Sequence, residues 1–357
     1  MKRKIIILLL FLLFITGCYD YQELNNLGIV TGIAIDYKDD KYNVTLEILN
    51  DKKESISSSL EAYTISSDGT NIAQAFTNVN EKLDKQAFYP HTKVVIISEE
   101  IAKNHIKDIA DYILRNQEIR DQFYLLVAVD TSSEDIITSQ QEDYPVVANR
   151  LVSMLEKDYN NKNITSTLLF EKNMNTLLNN KKDIVLTTVY KEEDNLKFGG
   201  LATFKDFKMQ NILTNEESIT YNLFVNKGNN ALFSYQCNNN IFTINIYDSN
   251  SKIQYKNNRI NIDLNLGADV IYNDCAYDLK NSHTIEELES KFNKLLKDKV
   301  NKLIVKLMND NTDILGLNKV YYNKHRHDID FRLLNYKINV DLKINKEGSI
   351  FEVNYEN

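Results

Sequence analysis

The sequence predicts an α+β protein with mixed, partly antiparallel sheets covered by helices, divided among three domains. Three observations carry this. Between residues 72 and 190, apolar residues at helical spacing alternate with short, wholly apolar runs, as when helices cover a sheet buried on both faces. From Leu196 to Tyr272 helical periodicity nearly vanishes and apolar residues alternate with polar ones, as in an antiparallel sheet. From Thr284 to Asn309 a single apolar stripe keeps a helical repeat, and an alternating strand follows it. At 357 residues the chain is long enough for such cores. With 43% apolar residues, 21 Tyr and 15 Phe, it is no disordered or linker-like protein.

Taken in order, Asn26 to Asp36 and Lys41 to Leu49 read as a hairpin, since Tyr42, Val44, Leu46 and Ile48 alternate and Asp36 to Asp40 supplies a polar turn. Asp68-Gly69-Thr70 offers a turn and cap, and Ile72, Ala75, Phe76, Val79 and Leu83 share one helical face. Val94 to Ile97 is a buried strand. Ser98-Glu99-Glu100 starts a helix with acids in its first turn, carried on through Ile101, Ile109, Ile113 and Leu114 to Arg115-Asn116. Phe123 to Val129 is a second buried strand, 146–159 and 167–178 are helices, and Ile184 to Tyr190 closes the sheet, with parallel pairing for part of it.

The charged stretch Lys191 to Asn195 marks a boundary. The expected division is an N-terminal mixed-sheet domain over 26–194, a β-rich middle domain over 195–272 and a C-terminal domain over 273–357. In the last of these, Ile285, Leu288, Phe292, Leu295, Leu296, Leu303, Ile304 and Leu307 form the stripe of a helix for which Thr284 and Glu287 suggest a capping box. Such a stripe more often covers its own sheet than a partner. Ile338, Val340, Leu342 and Ile344 then alternate, and Ser349 to Val353 is expected to return as a paired strand.

The first eighteen residues are of a different kind. Met1-Lys2-Arg3-Lys4 is basic, Ile5 to Ile15 is apolar, and Ile15-Thr16-Gly17-Cys18 follows. The run is shorter than the roughly 20 residues a spanning helix needs, and it has the parts of an export signal. The last four residues fit a lipobox, in which Cys18 takes a diacylglyceryl group and the chain is cut between Gly17 and Cys18. Residues 1–17 are then a signal peptide and 18–25 a lipidated stem, with covalent diacylglycerol and N-acyl (palmitate-like) lipid on Cys18 in place of any cofactor. Cleavage removes three positive charges, Lys2, Arg3 and Lys4, and takes the formal net charge from −8 to −11. Already at −8 the charge disfavours a general nucleic-acid binder, which needs a basic surface. Two acyl chains meet the requirement for stable anchoring, so the expected location is the outer face of the cytoplasmic membrane, with membrane lipid as the first partner. Cys237 and Cys275 have no spacing signature; they either pair in an oxidising compartment or stay as buried free thiols.

Motifs that carry chemistry are missing. No Gly-x-Ser-x-Gly elbow, His-Glu-x-x-His pair, phosphate-binding Gly loop or dinucleotide fingerprint occurs. His325-Arg326-His327 could place two imidazoles together, but an intervening Arg repels a cation and no further ligand stands at a suitable spacing. Asp310 to Asp313 lacks the Gly and closing Glu of a calcium loop. His91, His105 and His283 are isolated. No metal and no enzymatic activity are expected.

Several segments together resemble the Ger(x)C family, the lipoprotein C subunits of bacterial spore germinant receptors. They are Gly17-Cys18-Tyr19-Asp20-Tyr21-Gln22-Glu23-Leu24, Leu27 to Asp36, His91 to Lys103, Ile113 to Arg120, Gly200 to Phe204 and Asp313 to Leu317. Tyr19 stands where the family usually has Trp, Asn116 where it has Asp, and the chain has no Trp at all. The resemblance implies a non-enzymatic subunit on the outer face of the spore inner membrane. It would work with a multi-spanning A subunit and a transporter-like B subunit in sensing nutrients. Cys18 is the one functional residue it transfers. His91, Lys93, Glu99, Arg115, Glu118 and Arg120 lie in the family's motifs, either as partner contacts or, as preferred here, as caps and ion pairs within the first domain. One rival is a lipid-anchored solute-binding protein that delivers a small ligand to a transporter, which would need two α/β lobes around a cleft. Another is a cell-wall hydrolase, for which no nucleophile or acid/base pair is evident.

Overall fold

The computed structural model describes residues 26–50, 61–161, 164–178, 182–225 and 230–345, with side chains 159–161 excepted. The expected signal peptide, lipidated stem and Ser349–Val353 strand lie outside the described residues.

In chain order, β1 (Leu27–Lys38), β2 (Lys41–Asn50) and β3 (Glu61–Gly69) precede α1 (Ile72–Asn80) and β4 (Gln86–Phe88). Then come β5 (Val94–Ser98), α2 (Glu99–Asn104), α3 (Ile106–Arg115), β6 (Tyr124–Ala128), α4 (Ser133–Ile137), α5 (Val147–Asn161), α6 (Phe170–Leu178) and β7 (Ile184–Glu192). β8 (Asn195–Lys205), β9 (Lys208–Ile212), α7 (Asn215–Val225), β10 (Ala231–Cys237), β11 (Asn240–Lys256), β12 (Arg259–Asn273), α8 (Ser282–Asn309), α9 (Leu317–His325) and β13 (Tyr336–Ile344) complete the described chain.

The first sheet runs β3-β2-β1-β5-β6-β7-β8-β9, with β4 against the start of β1. Its centre, β1-β5-β6-β7, is parallel and both flanks are antiparallel. The two-residue side-chain period is visible in how the core divides. Ile33, Ile35, Val95, Ile97, Leu125 and Val127 pack under α1, α2, α3 and α6. Ala34, Val94, Ile96, Leu126 and Ala128 pack under α4 and α5 on the other face. This is why the central strands read as continuous apolar runs. Tight turns at Asp39-Asp40, Asp206-Phe207 and Asn257-Asn258 place both residues at positive φ, as two-residue hairpins with right-handed twist require.

The second sheet is β10-β11-β12-β13, with β13 parallel to β12. Its inner face meets α8 through Ile285, Leu288, Phe292, Leu296, Val300, Leu303, Ile304 and Leu307, all buried. The stripe of α8 therefore serves the core. Its N-cap is Asn281, whose side chain accepts the His283 amide; the expected Thr284–Glu287 box does not form the cap, and Glu287 pairs with His283 instead.

The α+β class with mixed sheets covered by helices holds, but the sheets do not part at 194 and 272. The Glu192–Asn195 turn joins β7 to β8, and 195–212 extends the first sheet instead of opening a second. β10–β12 share their sheet with β13 and their core with α8. Between the sheets lies α7, absent from the sequence expectation. Its Asn222 amide donates to the Thr165 carbonyl at 3.0 Å, and Ser251 donates to the Phe224 carbonyl at 2.8 Å. Gly200 makes this approach possible. At φ 100° it lies where side chains are strained, and a Cβ there would sit 2.4 Å from the Leu213 carbonyl oxygen. Cys237 and Cys275 are joined as a disulfide, tying the β10–β11 turn to the segment after β12, with Cα atoms 6.1 Å apart. Both are half-buried.

Candidate functional site

The residues singled out from the sequence do not converge on one centre. Most of them lie toward the amino ends of the parallel strands. The chain enters there through Leu27–Ile29, which pairs with Gln86–Phe88. A 3-10 turn, Tyr89–His91, follows β4 because Pro90 cannot continue the ladder. It leaves His91 exposed beside the Phe88 ring at 5.6 Å. The Lys93 amide donates to the Thr31 carbonyl at 2.8 Å, and its own carbonyl accepts the Tyr124 amide at 2.9 Å, which aligns the starts of β5 and β6. The Lys93 Nζ donates to Asn149 Oδ1 at 2.7 Å. Arg115 ends α3, and its Nε reaches both Asp111 oxygens at 2.9 Å. The 116–123 connection then carries Glu118 and Arg120, both exposed, into the start of β6. Asn116 shapes this turn by accepting the Glu118 amide at 2.9 Å. Burial pushes the Tyr89 and Tyr112 phenols up, and the Glu118 charge adds to it. Glu99 sits apart, at the carboxyl end of β5, where it pairs with Lys103 at 2.5 Å and leaves Ser98 to cap α2. Arg115 and Glu99 thus each make an ion pair on the surface, and exposed pairs of this kind contribute little to stability.

Two carboxylates outside the candidate site residues do more to hold the body together. Glu47, on β2, is wholly buried. It accepts from Thr31 Oγ1 at 2.7 Å and from the amides of Val147 at 2.5 Å and Ala148 at 3.1 Å. A carboxylate from a distant strand thus fills the N-terminus of α5, where amides lack helical partners. Burial raises its pKa, and the three hydrogen bonds oppose the rise. Gly32 permits the close fit, for a Cβ there would stand 2.7 Å from Ile137 Cδ1 and 3.2 Å from Ala148 Cβ. The available signal was weak: an acidic residue within an apolar strand, and Thr31-Gly32 across from it.

The second carboxylate lies where the chain returns from α8 to the first sheet. Asp313 Oδ1 accepts the Leu317 amide at 2.8 Å and Oδ2 the Asn318 amide at 2.7 Å, capping α9 in place of Gly316, which has no side chain to do so. The Asp313 amide donates to Asp183 Oδ2 at 2.6 Å, and the Asp183 amide donates to the Asp313 carbonyl at 3.1 Å. Lys205 Nζ donates to the Asn311 carbonyl at 2.6 Å and Asn211 to Asp310 at 3.0 Å. Burial pushes the Asp183 carboxyl up to about 6 and raises Asp313 as well. It also lowers the Lys182 ammonium, against the pull of Asp313.

A carboxyl whose folded pKa lies above its unfolded one adds stability that is complete below the unfolded value and disappears as pH rises through the folded value. The junction is therefore expected to lose stability between about pH 4 and pH 6. Asp183→Asn keeps an oxygen for the Asp313 amide and removes the charge. It is expected to stabilise the protein by about 1–2 kcal/mol near pH 7 and to change little near pH 4. Denaturant midpoints of both proteins at the two pH values check this; parallel pH profiles would contradict it.

Among the described residues no three of His, Cys, Asp and Glu are placed to hold a metal, and no helix is long and apolar enough to cross a membrane. His325 ends α9 and His327 follows it; both pack with Tyr321, and His325 also meets Tyr255, with the Tyr321 and His325 rings stacked at 4.4 Å. Cys18 and Gly17 lie outside the described residues.

Comparison with known proteins matches residues 20–190 to the family described as spore germination protein N-terminal domain. Residues 199–350 match the family described as spore germination B3/GerAC like, C-terminal. The chain is 22% identical over 362 residues to spore germination protein GerQC of Bacillus cereus, covering 98% of this chain and 99% of that one. It is 29% identical over 145 residues to spore germination protein KC of Bacillus subtilis (strain 168), over 37% of this chain and 35% of that one. Its fold is similar to the crystal structure of the GerBC protein, with a TM-score of 0.58 and 19% identity over 91% of this chain and 99% of that one.

Proposed function

The chain belongs to the Ger(x)C family of spore germination proteins, and from that premise we propose that it is the lipid-anchored, non-enzymatic C subunit of a spore nutrient germinant receptor. In this role it acts through a complex with the multi-spanning A-type and B-type subunits on the outer face of the spore inner membrane. The observation that carries the tether is the short sequence distance from Cys18 to the first strand. Asn26 lies only eight residues after Cys18 and leads into the amino end of β1. At no more than about 3.6 Å per residue, an extended stem of that length reaches roughly 29 Å. An acylated Cys18 would hold the β1 entrance, with His91, Lys93, Arg115, Glu118 and Arg120, near the bilayer, within reach of membrane-embedded partners. The net negative charge of the mature chain gives anionic headgroups no hold on it, so the acyl chains supply the attachment. Delivery of a solute to a transporter is less well supported, because the two sheets differ in topology and covering and do not form two similar α/β lobes.

Cys18→Ala is expected to move the protein from the membrane fraction to the soluble fraction and to slow nutrient-triggered germination. Fractionation and germination assays of spores carrying the variant check this. Normal germination with the variant fully soluble would overturn the tether.

A further inference from the structure

A cleft of about 410 Å³ opens between the exposed face of α5, the loop before it and the start of β8, a size suited to a small ligand. Arg150, Met154 and Lys157 lie three and four residues apart and so share one face of α5. Leu196 and Met154 give the cleft an apolar floor, while Asp143 and Tyr144 come from the loop before the helix. The Arg150 guanidinium carbon lies 4.7 Å from the centre of the exposed Tyr144 ring. Its Nη1 is buried with no hydrogen-bond partner among the described residues. A guanidinium carries five donors. A ring face offsets part of the loss when one is taken from water, but only an acceptor oxygen restores the hydrogen bond. Glu47 already takes the Val147 and Ala148 amides at the N-terminus of α5. Recognition in the cleft is therefore assigned to the unpartnered Nη1 of Arg150.

We propose that this cleft binds a small carboxylate bearing a short apolar chain, with the carboxylate on Arg150 after Tyr144 swings aside and the chain on Met154 and Leu196. The pairing suits the planar fork of arginine, which a carboxylate meets with two oxygens. The site is independent of the tether, because none of its residues lies in the stem.

The test uses the full chain in detergent micelles with 4-methylpentanoate as probe, followed by calorimetry and saturation-transfer NMR. Saturable binding is expected. The neutral analogue 4-methylpentanamide, which partitions into micelles as well, should bind at least tenfold more weakly, and inorganic phosphate should not compete at equal concentration. Arg150→Gln should weaken binding at least tenfold with Arg150→Lys intermediate. Ser153→Trp, at an exposed position lining the cleft, should block it while leaving the circular dichroism spectrum unchanged. No saturable binding, equal binding of the amide, full competition by phosphate, or unchanged affinity in Arg150→Gln or in folded Ser153→Trp would each overturn the site.

Discussion

Glu47→Ala is expected to cost about 3–5 kcal/mol of stability, the largest effect among the substitutions considered. The carboxylate is wholly buried and receives three hydrogen bonds. Truncation leaves two amides of the first turn of α5 without acceptors in a site closed to water, and the Thr31 hydroxyl keeps only its longer contact to the residue-47 carbonyl at 3.3 Å. Each stranded donor carries a penalty of about 1–3 kcal/mol, relieved in part where the site relaxes. Glu47→Gln separates hydrogen bonding from size. Both carboxylate oxygens accept in the native site, so the NH₂ of Gln must face a donor on one side. A cost of about 1–3 kcal/mol follows, smaller than that of Ala. Urea midpoints at unchanged slope check both values, and hydrogen exchange at the Val147 and Ala148 amides should speed up most. Equal stability of the Ala variant and the parent would mean that the first turn of α5 does not need this acceptor.

Asp313→Ala is expected to cost about 2–4 kcal/mol and to loosen the contact between the two sheets. Its oxygens are the caps of α9, and its backbone exchanges two hydrogen bonds with Asp183 at the start of β7. Losing the caps frees the Leu317 and Asn318 amides, and the Asp310–Gly316 segment then has less to hold it in the shape that meets Asp183. Because the site also raises the Asp313 pKa through burial, the charge itself contributes little and the acceptors contribute most. Asp313→Asn, which keeps one oxygen, should therefore recover part of the loss. Faster exchange at Leu317 and Asn318 together with an unfolding transition that becomes less cooperative would bear this out; an Ala variant with parent-like midpoint and cooperativity would refute it.

How far the sequence revealed these features depended on whether a residue's role was local. The strands β5 and β6 were evident because burial on both faces makes an apolar run, and α8 because one face of a long helix meets a sheet. In contrast, α7 was hidden. Wedged between two bodies, it carries Ile219, Tyr221, Leu223 and Phe224 on several sides and shows no single stripe. β3 was missed because, as an edge strand, it is half-exposed and its apolar residues are few. The break between β8 and the following segments looked like a domain boundary because charge gathers in the Lys191–Asn195 turn, but a turn of that composition serves a hairpin equally well. Glu47 and Asp183 act across about a hundred residues or more of chain, a separation that no local pattern records. The motif around Asp313 was legible as a resemblance, whereas its purpose, a cap for a helix whose N-cap position is Gly316, needed the fold. Lys93 and Arg115 were likewise found by motif, and their partners Asn149 and Asp111 by structure.

Mass spectrometry of the N-terminus reads the lipid tether at Cys18 on the residue itself. Membranes from sporulating cells that express the chain are extracted and digested with trypsin, which cuts after Lys38 and nowhere between Cys18 and that residue. A peptide beginning at Cys18 is expected, carrying a diacylglyceryl group on sulfur and an acyl group on its amine, with no peptide from residues 1–17 attached. A chain that still begins at Met1, or one that begins at Cys18 with a free thiol, would contradict the tether.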